Sequence, residues 1–417
     1  MPTIEEGSPL NLARADRPTM APQQSGRRAY TIVLASAAVF LFWAALYIYM
    51  PILSVYAAHQ GAAASLVGLI LGSYGVSQLI LRIPLGVTSD RTGRRRGFVL
   101  LGSAVAAVSC LVLAWAPSPV WLLVGRTLAG VAASTWVCST VLYASYFRPE
   151  DAVRATSLAT FLSGGGQMTA LLVGGRLADA VGWTAPFVAG AGLALLGGLV
   201  LLSVGDERVI PKVGRPLEGL GRVSRRPVLL GVAAVALVGQ YISQATTYGF
   251  VPTYATTVLR ASYTALGLVS TLTTLGYTLG ALAAGWLARR VRPRLVMVLG
   301  LLLSAVSTLA VPSCASLPVL VAVRFLSGVG FGFLYSVAMG LSISGVPAED
   351  RASAMGLFQA LYALGMFVGP AVSGWLVQGW GLQTMFQISS LLPLGAAVAT
   401  LLLPLVLSGA RARGEAA

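Results

Sequence analysis

Twelve apolar blocks, separated by short polar breaks, constrain the fold of this 417-residue chain more than any other feature. They lie near residues 30–57, 65–88, 97–115, 120–147, 155–178, 184–204, 228–258, 264–288, 294–311, 318–345, 352–377 and 382–408. A helix crosses the hydrocarbon of a bilayer in about 20 residues at about 1.5 Å each. Every block is near or above that length, and the third and ninth are the shortest. Hydrophobic residues make up 56% of the chain and charged residues 10%, whereas a soluble domain carries about 25% charge. The polar side chains needed to cover soluble domains are therefore missing. A soluble enzyme is excluded, and a multi-pass α-helical membrane protein is expected.

The net charge of +15 would fit a nucleic-acid partner if it formed one patch. It lies instead in short clusters between apolar blocks, the pattern of cytoplasmic loops beside anionic lipid, so no nucleic-acid partner is expected. With the N-terminus inside, the loops on that side hold 23 Lys and Arg; the opposite side holds two, Arg176 and Arg260. The positive-inside rule then places both termini in the cytoplasm, with the chain in a plasma (inner) membrane. Cys110, Cys138 and Cys314 each stand alone in apolar runs and read as small hydrophobes. His59 is the only histidine, which excludes a multi-histidine metal site. Neither metal nor cofactor is implied.

The chain repeats itself. At an offset of about 198 residues, Arg126-x3-Gly130 falls on Arg324-x3-Gly328, and Gly86-x3-Asp90-Arg91 falls on Gly285-x3-Arg289-Arg290. Gly175 meets Gly374, and Phe187 meets Phe386. The expected organisation is a disordered cytoplasmic tail (1–28), a six-helix bundle (29–204), a cytoplasmic linker (205–226), a second six-helix bundle (227–408) and a short tail (409–417). Parallel repeats joined by a mid-chain linker mark an alternating-access transporter with its site between the halves.

The run Gly86-Val-Thr-Ser-Asp90-Arg91-Thr-Gly93-Arg94-Arg95-Arg96 resembles the signature loop G-x-L-a-D-R-x-G-R-R of the major facilitator superfamily. Thr88 departs from it at a usually apolar position. The second copy places Arg289 where the acid would stand. The resemblance covers roughly residues 30–408. It implies an all-α membrane protein of twelve transmembrane helices in two pseudo-symmetric bundles, in which helices 1, 4, 7 and 10 line a cavity. It also implies that Gly86, Asp90, Arg91, Gly93, Arg94 and Arg95 form a latch closing the inner side; the plainer alternative is a positive-inside stop. Gly365-x3-Gly369-Pro370-x2-Ser373-Gly374 in the eleventh span is similar to the family's antiporter motif, and plain small-residue packing is its other reading. The fifth span keeps the glycines, Gly166, Gly174 and Gly175, but lacks the Gly-Pro pair.

An arginine at membrane depth costs about 2.5–3.5 kcal/mol on insertion scales. Arg126 and Arg324 are therefore expected to face a cavity or a partner, as a coupling or anion site, with snorkelling to the outer headgroups as the alternative. Arg82 belongs to the same set, but it lies nearer the inner surface and snorkelling is the leading expectation there. None of the 13 acids falls in the middle of a span, so proton coupling through a buried carboxylate is not expected. A preference for cations is not expected either. Tyr47, Thr135, Trp136, Gln240, Gln244, Tyr248 and Tyr335 are the candidate lining of an aromatic, hydrogen-bonding substrate cavity. Gln240 and Gln244 share a helix face by their spacing.

A membrane-embedded hydrolase lacks a nucleophile with a base, so no enzyme is expected. The leading expectation is a secondary transporter, acting as a monomer, that exports an amphipathic or drug-like compound. The alternatives are uptake or exchange of an anionic metabolite through Arg126 and Arg324, and lipid flipping. Its expected partners are the small-molecule substrate, membrane lipid, and protons or a counter-ion.

Overall fold

The computed structural model describes residues 22–148, 151–204, 216–347 and 350–414, and all regular structure among them is helical. Masses of Leu, Val and Ala favour helix once backbone groups must be satisfied without water. The first half contains α1 (Pro22–Tyr47), α2 (Met50–His59), α3 (Ala64–Thr92), α4 (Arg95–Ala114), α5 (Pro119–Ser134), α6 (Trp136–Ser145), α7 (Ala152–Ala180) and α8 (Thr184–Leu202). A short helix, α9 (Pro216–Val223), precedes the second half. That half contains α10 (Pro227–Ile242), a π-helical turn (Ser243–Phe250), α11 (Val251–Thr257), α12 (Tyr263–Leu287), α13 (Pro293–Ala310), α14 (Leu317–Ile343) and α15 (Arg351–Gly414).

Ten helical stretches are long and apolar enough to cross a membrane. The last of them, Ser353–Leu402, is 50 residues long and folds back at Gly381, whose φ of 83° and ψ of 169° break the helix. α7 has the length to cross but a more polar composition. Dividing the long stretch and counting α7 gives twelve crossings. The tail before residue 22 and linker residues 205–215 lie outside the described residues.

Prolines shape the helices that matter for the site. Pro lacks an amide hydrogen and its ring collides with the carbonyl four residues back. The first span breaks between α1 and α2, just before Met50-Pro51. The seventh loosens into the π turn just before Val251-Pro252. Pro51 and Pro252 are 201 residues apart, close to the repeat offset. Tyr47 and Tyr248 stand beside these breaks and meet across the halves, ring centroids 5.8 Å apart at 80°.

The halves join along two seams, α3 against the first limb of α15, and α7 against α12. Elsewhere the surface is greasy at helical spacing: Leu195, Leu199 and Leu202 on α8, and Leu295, Leu299, Leu302, Val306 and Leu309 on α13, are exposed. Such bands suit lipid and not water. At the Arg-rich end, α9 is docked on the second half. Arg222 donates to both Asp350 carboxylate oxygens at 3.0 and 2.6 Å, and Arg226 donates to the Gly345 carbonyl at 2.7 Å. The Arg222 guanidinium holds the Asp350 carboxyl below the usual carboxylate range.

Candidate functional site

A cavity of about 210 Å³ lies where α1, α3, α7, α10, the π turn, α12, α13, α14 and α15 converge. Eight aromatic side chains line it: Trp43, Tyr47 and Tyr74 from the first half, and Tyr248, Tyr277, Phe331, Tyr335 and Tyr362 from the second. The rings brace one another. Trp43 and Tyr47 are 5.8 Å apart, Phe331 stacks on Tyr335 at 5.5 Å, and Tyr335 meets Tyr362 at 5.6 Å. Gln78, Gln167, Gln240 and Gln244 add amides between the rings. Large rings with few rotors offer contact area at low entropic cost, and the amides supply direction. Arg82 is the one charged side chain among the lining residues.

Tyr47, Gln240, Gln244, Tyr248 and Tyr335 thus line the cavity. Thr135 and Trp136 are not among its lining residues. The fourth span breaks where α5 ends at Ser134 and α6 begins at Trp136. The Thr135 hydroxyl turns back to the Ala132 carbonyl at 2.7 Å, and Trp136 backs the wall, edge-on to Trp43 at 5.2 Å. Tyr74, Gln78, Tyr277 and Tyr362 were not anticipated. The spacing of Gln78 and Arg82, four apart on one helix face, was an available signal.

The three membrane arginines differ. Arg82 does not snorkel: it is buried and bonded inside the protein. It donates to Gln78 Oε1 at 2.6 Å on its own helix, and across the halves to Gln359 Oε1 at 2.9 Å and the Tyr362 hydroxyl at 2.8 Å. The polar acceptors are there, so the side chain has no reason to reach for the headgroups. Arg126 lies behind the wall, 4.0 Å over the Tyr74 ring, and donates to the Tyr49 hydroxyl at 3.3 Å. Arg324 is 1% exposed and donates to the Thr247 hydroxyl; its Nε and Nη1 have no partner. Neither Arg126 nor Arg324 lines the cavity.

In the signature loop, Gly93 takes φ 64° and donates its amide to the Ser89 carbonyl, closing α3. That left-handed turn favours glycine. A Cβ on Gly86 would meet only Val137, of its own half, at 3.3 Å. Arg91 and Arg94 are exposed and Arg95 is half-buried. The Asp90 side chain lies outside the described residues.

The end of the bundle away from the Arg-rich loops is shut by backbone-to-backbone approach. A Cβ on Gly68 would strike the Pro370 carbonyl and lie 3.1 Å from Gly374 Cα. Gly72 and Gly75 abut Phe367, Gly374 abuts Ala64, and Gly175 abuts Tyr263. Gly365 and Gly369 instead pack on Leu237 and Tyr241 of α10, within their own half. Two side chains cap helices of the opposite half. Asp179 accepts from the Tyr263 and Thr264 amides, opening α12, at 3.0 and 2.7 Å. Gln378 accepts from the Ser65 amide, opening α3, at 3.2 Å. The two caps are 199 residues apart and related by the repeat. Trp183 plugs the same end against Tyr263 at 4.5 Å.

Hydrogen bonds between α3 or α7 and α12 or α15, among the described residues, run from Arg82 to this closed end. Toward the Arg-rich end, Gly285, Gly340 and Gly356 have open space beside them. Among the described residues, the close contacts and hydrogen bonds between the halves thus gather at the end away from the Arg-rich loops.

Asp179→Ala is expected to weaken that closure by about 1 kcal/mol, the worth of a helix N-cap. Burial pushes the Asp179 carboxyl up, but hydrogen bonds from Thr264, Tyr263 and Ser262 outweigh it and hold the carboxyl below its usual range. The closing contribution is therefore present above the ordinary carboxylate pKa and fades as pH falls through the lowered value. Reactivity of a cysteine at Thr271→Cys, in the seam, measures both: it rises about fivefold with Asp179→Ala, and acid mimics the substitution in the parent protein alone.

The family model described as Major Facilitator Superfamily matches residues 35–259 and 233–416. An uncharacterized MFS-type transporter of Methanocaldococcus jannaschii is 23% identical over 379 residues, 85% of this chain and 94% of that protein. The human synaptic vesicular amine transporter is 27% identical over 338 residues, 77% of this chain and 63% of its own longer length. Among solved structures, a bacterial homolog of the human lysosomal transporter Spinster, inward-facing and unoccupied, superimposes with a TM-score of 0.77 at 17% identity, covering 90% of this chain and 96% of that one. The nucleoside transporter NupG does so with a TM-score of 0.70 at 16% identity, covering 90% and 98%.

Proposed function

The chain belongs to the major facilitator superfamily and is a multi-pass secondary transporter; we propose that it exports a small, ring-bearing amphipathic compound across the plasma membrane. The observation that carries this reading is the aromatic and amide-lined cavity between halves whose described cross-half contacts gather at the end away from the Arg-rich loops. The positive-inside rule makes the Arg-rich end cytoplasmic, the side from which an exporter would load. Residues 29–204 and 227–408 are then the two rocking bodies. The loop of Gly86, Asp90, Arg91, Gly93, Arg94 and Arg95 would seal the cytoplasmic end in the opposite state.

Size narrows the solute. At about 210 Å³ the cavity is below the roughly 300–1,000 Å³ of drug-sized sites, so a compound with one or two rings fits best. A two-chain lipid does not fit, which weighs against flipping. Amines and nucleosides, the cargoes in the names of two similar proteins, are of that small class, but no carboxylate lines the cavity to pair with an ammonium. Exchange of an anionic metabolite through Arg126 and Arg324 is disfavoured in this conformation, because both lie behind the wall.

Everted and right-side-out vesicles loaded with a pH-sensitive dye test the proposal. Radiolabelled single-ring solutes should accumulate in everted vesicles, and proton flux that follows solute would identify antiport. Accumulation only in right-side-out vesicles contradicts export. No movement of any ring-bearing solute contradicts the substrate class.

A further inference from the structure

Resting on that reading of the cavity, we propose that Arg82 is an anion-recognition residue, and that the substrate carries a carboxylate or another compact oxyanion which displaces the neutral acceptors now holding the guanidinium. Arg82 is the sole charged group among the residues lining the cavity, and it is 8% exposed. Each of its hydrogen-bond partners, Gln78, Gln359 and Tyr362, is neutral. Its Nε, buried, has no partner at all. A buried charge solvated only by neutral dipoles is poorly compensated. Hydrogen bonds to a charged acceptor are roughly twice as strong, and a planar carboxylate can engage the guanidinium fork in two places.

The wider field points the same way. Arg126 lies over Tyr74 and Arg324 on Thr247, and both of those partners line the cavity. Three buried guanidinium groups therefore surround the cavity, and none of the 13 acids of the chain falls in the middle of a span. An incoming anion supplies the missing negative charge. An incoming ammonium would meet the opposite field.

The same geometry links binding to movement. Two of the neutral partners, Gln359 and Tyr362 on α15, belong to the other half, and among the described residues their bonds to Arg82 are the cross-half hydrogen bonds nearest the Arg-rich end. An oxyanion that takes over the Arg82 donors releases α15 from α3 at that level. Arg82 is thus both a substrate contact and a tie that the substrate unfastens.

A matched trio tests this: 4-hydroxybenzoate, 4-hydroxybenzamide and 4-hydroxybenzylamine, alike in ring and size and differing in charge. Binding to purified protein is read by Trp fluorescence titration. The benzoate should bind at least about tenfold tighter than the benzamide, the worth of one charged hydrogen bond, and the amine weakest. Arg82→Gln should erase that discrimination, and Arg82→Lys should retain part of it. Gln359→Leu, which removes a competing acceptor and keeps Arg82, should tighten benzoate severalfold and leave benzamide unchanged. This last variant guards against a folding failure of Arg82→Gln. Equal binding of benzoate and benzamide, or tighter binding of the amine, overturns the anion proposal and leaves the small ring-bearing class standing. No binding of any of the three overturns both.

Discussion

Gly68→Val is expected to abolish transport while both halves remain folded. A side chain at Gly68 has nowhere to go: its first carbon would meet the Pro370 carbonyl and Gly374 Cα, backbone atoms of the opposite half that cannot swing aside. Overpacking costs about 1–3 kcal/mol where neighbours can yield, and the upper figure lowers the population of the closed state about a hundredfold. The clash vanishes when the halves part at that end, so the variant should rest open there. Gly174→Val is the contrast. Its side chain would meet the Ile48 carbonyl within the same half, so no rocking relieves it. That protein should be lost from the membrane, whereas Gly68→Val should express at the parental level. Accessibility of the Thr271→Cys thiol in the Gly68→Val background checks the assignment: labelling should rise sharply. Unchanged labelling together with full transport would contradict it.

Arg324→Met is expected to stabilise the protein and to impair it. Arg324 is 1% exposed and leaves Nε and Nη1 without partners. Replacing a poorly compensated buried charge by an apolar side chain of similar volume is often stabilising by about 1–4 kcal/mol. The thermal midpoint in detergent should therefore rise by several degrees. Transport should fall by about tenfold or more, because intramembrane ionisable residues are kept for function at a stability cost. A lowered midpoint would show that the Thr247 bond matters more than the buried charge costs. Parental transport in the stabilised variant would leave Arg324 without a role in the cycle.

The crossings are legible in the sequence because apolar blocks of the right length leave the backbone few options. Their internal breaks are partly legible: Pro51 and Pro252 announce the points where the first and seventh spans change course. Which face a residue presents is harder. Tyr47, Gln240, Gln244 and Tyr248 stand out as polar groups in spans expected to line a cavity, and they line it. Trp136 meets the same test, but the break at Thr135 rotates it behind Trp43. Arg82 shows the limit of reasoning from depth. Its distance from the membrane surface favours snorkelling, and only the packing of α3 against α15 reveals the acceptors at Gln359 and Tyr362. The glycines of α15 divide likewise, Gly365 and Gly369 serving their own half and Gly374 the seam. The caps at Asp179 and Gln378 join residues 84 and 313 positions from their partners, and no local pattern announces such pairs.

Crosslinking across the α3–α15 seam tests alternation of this end most directly. Ser65→Cys and Gln378→Cys, introduced together after replacement of Cys110, Cys138 and Cys314, place thiols where the Ser65 amide meets the Gln378 side chain. A short bifunctional thiol reagent should join them in the substrate-free protein and stop transport, and a cleavable version should restore it on reduction. Undiminished transport with the crosslink fully formed would contradict the account, because the halves would then work without parting at this end.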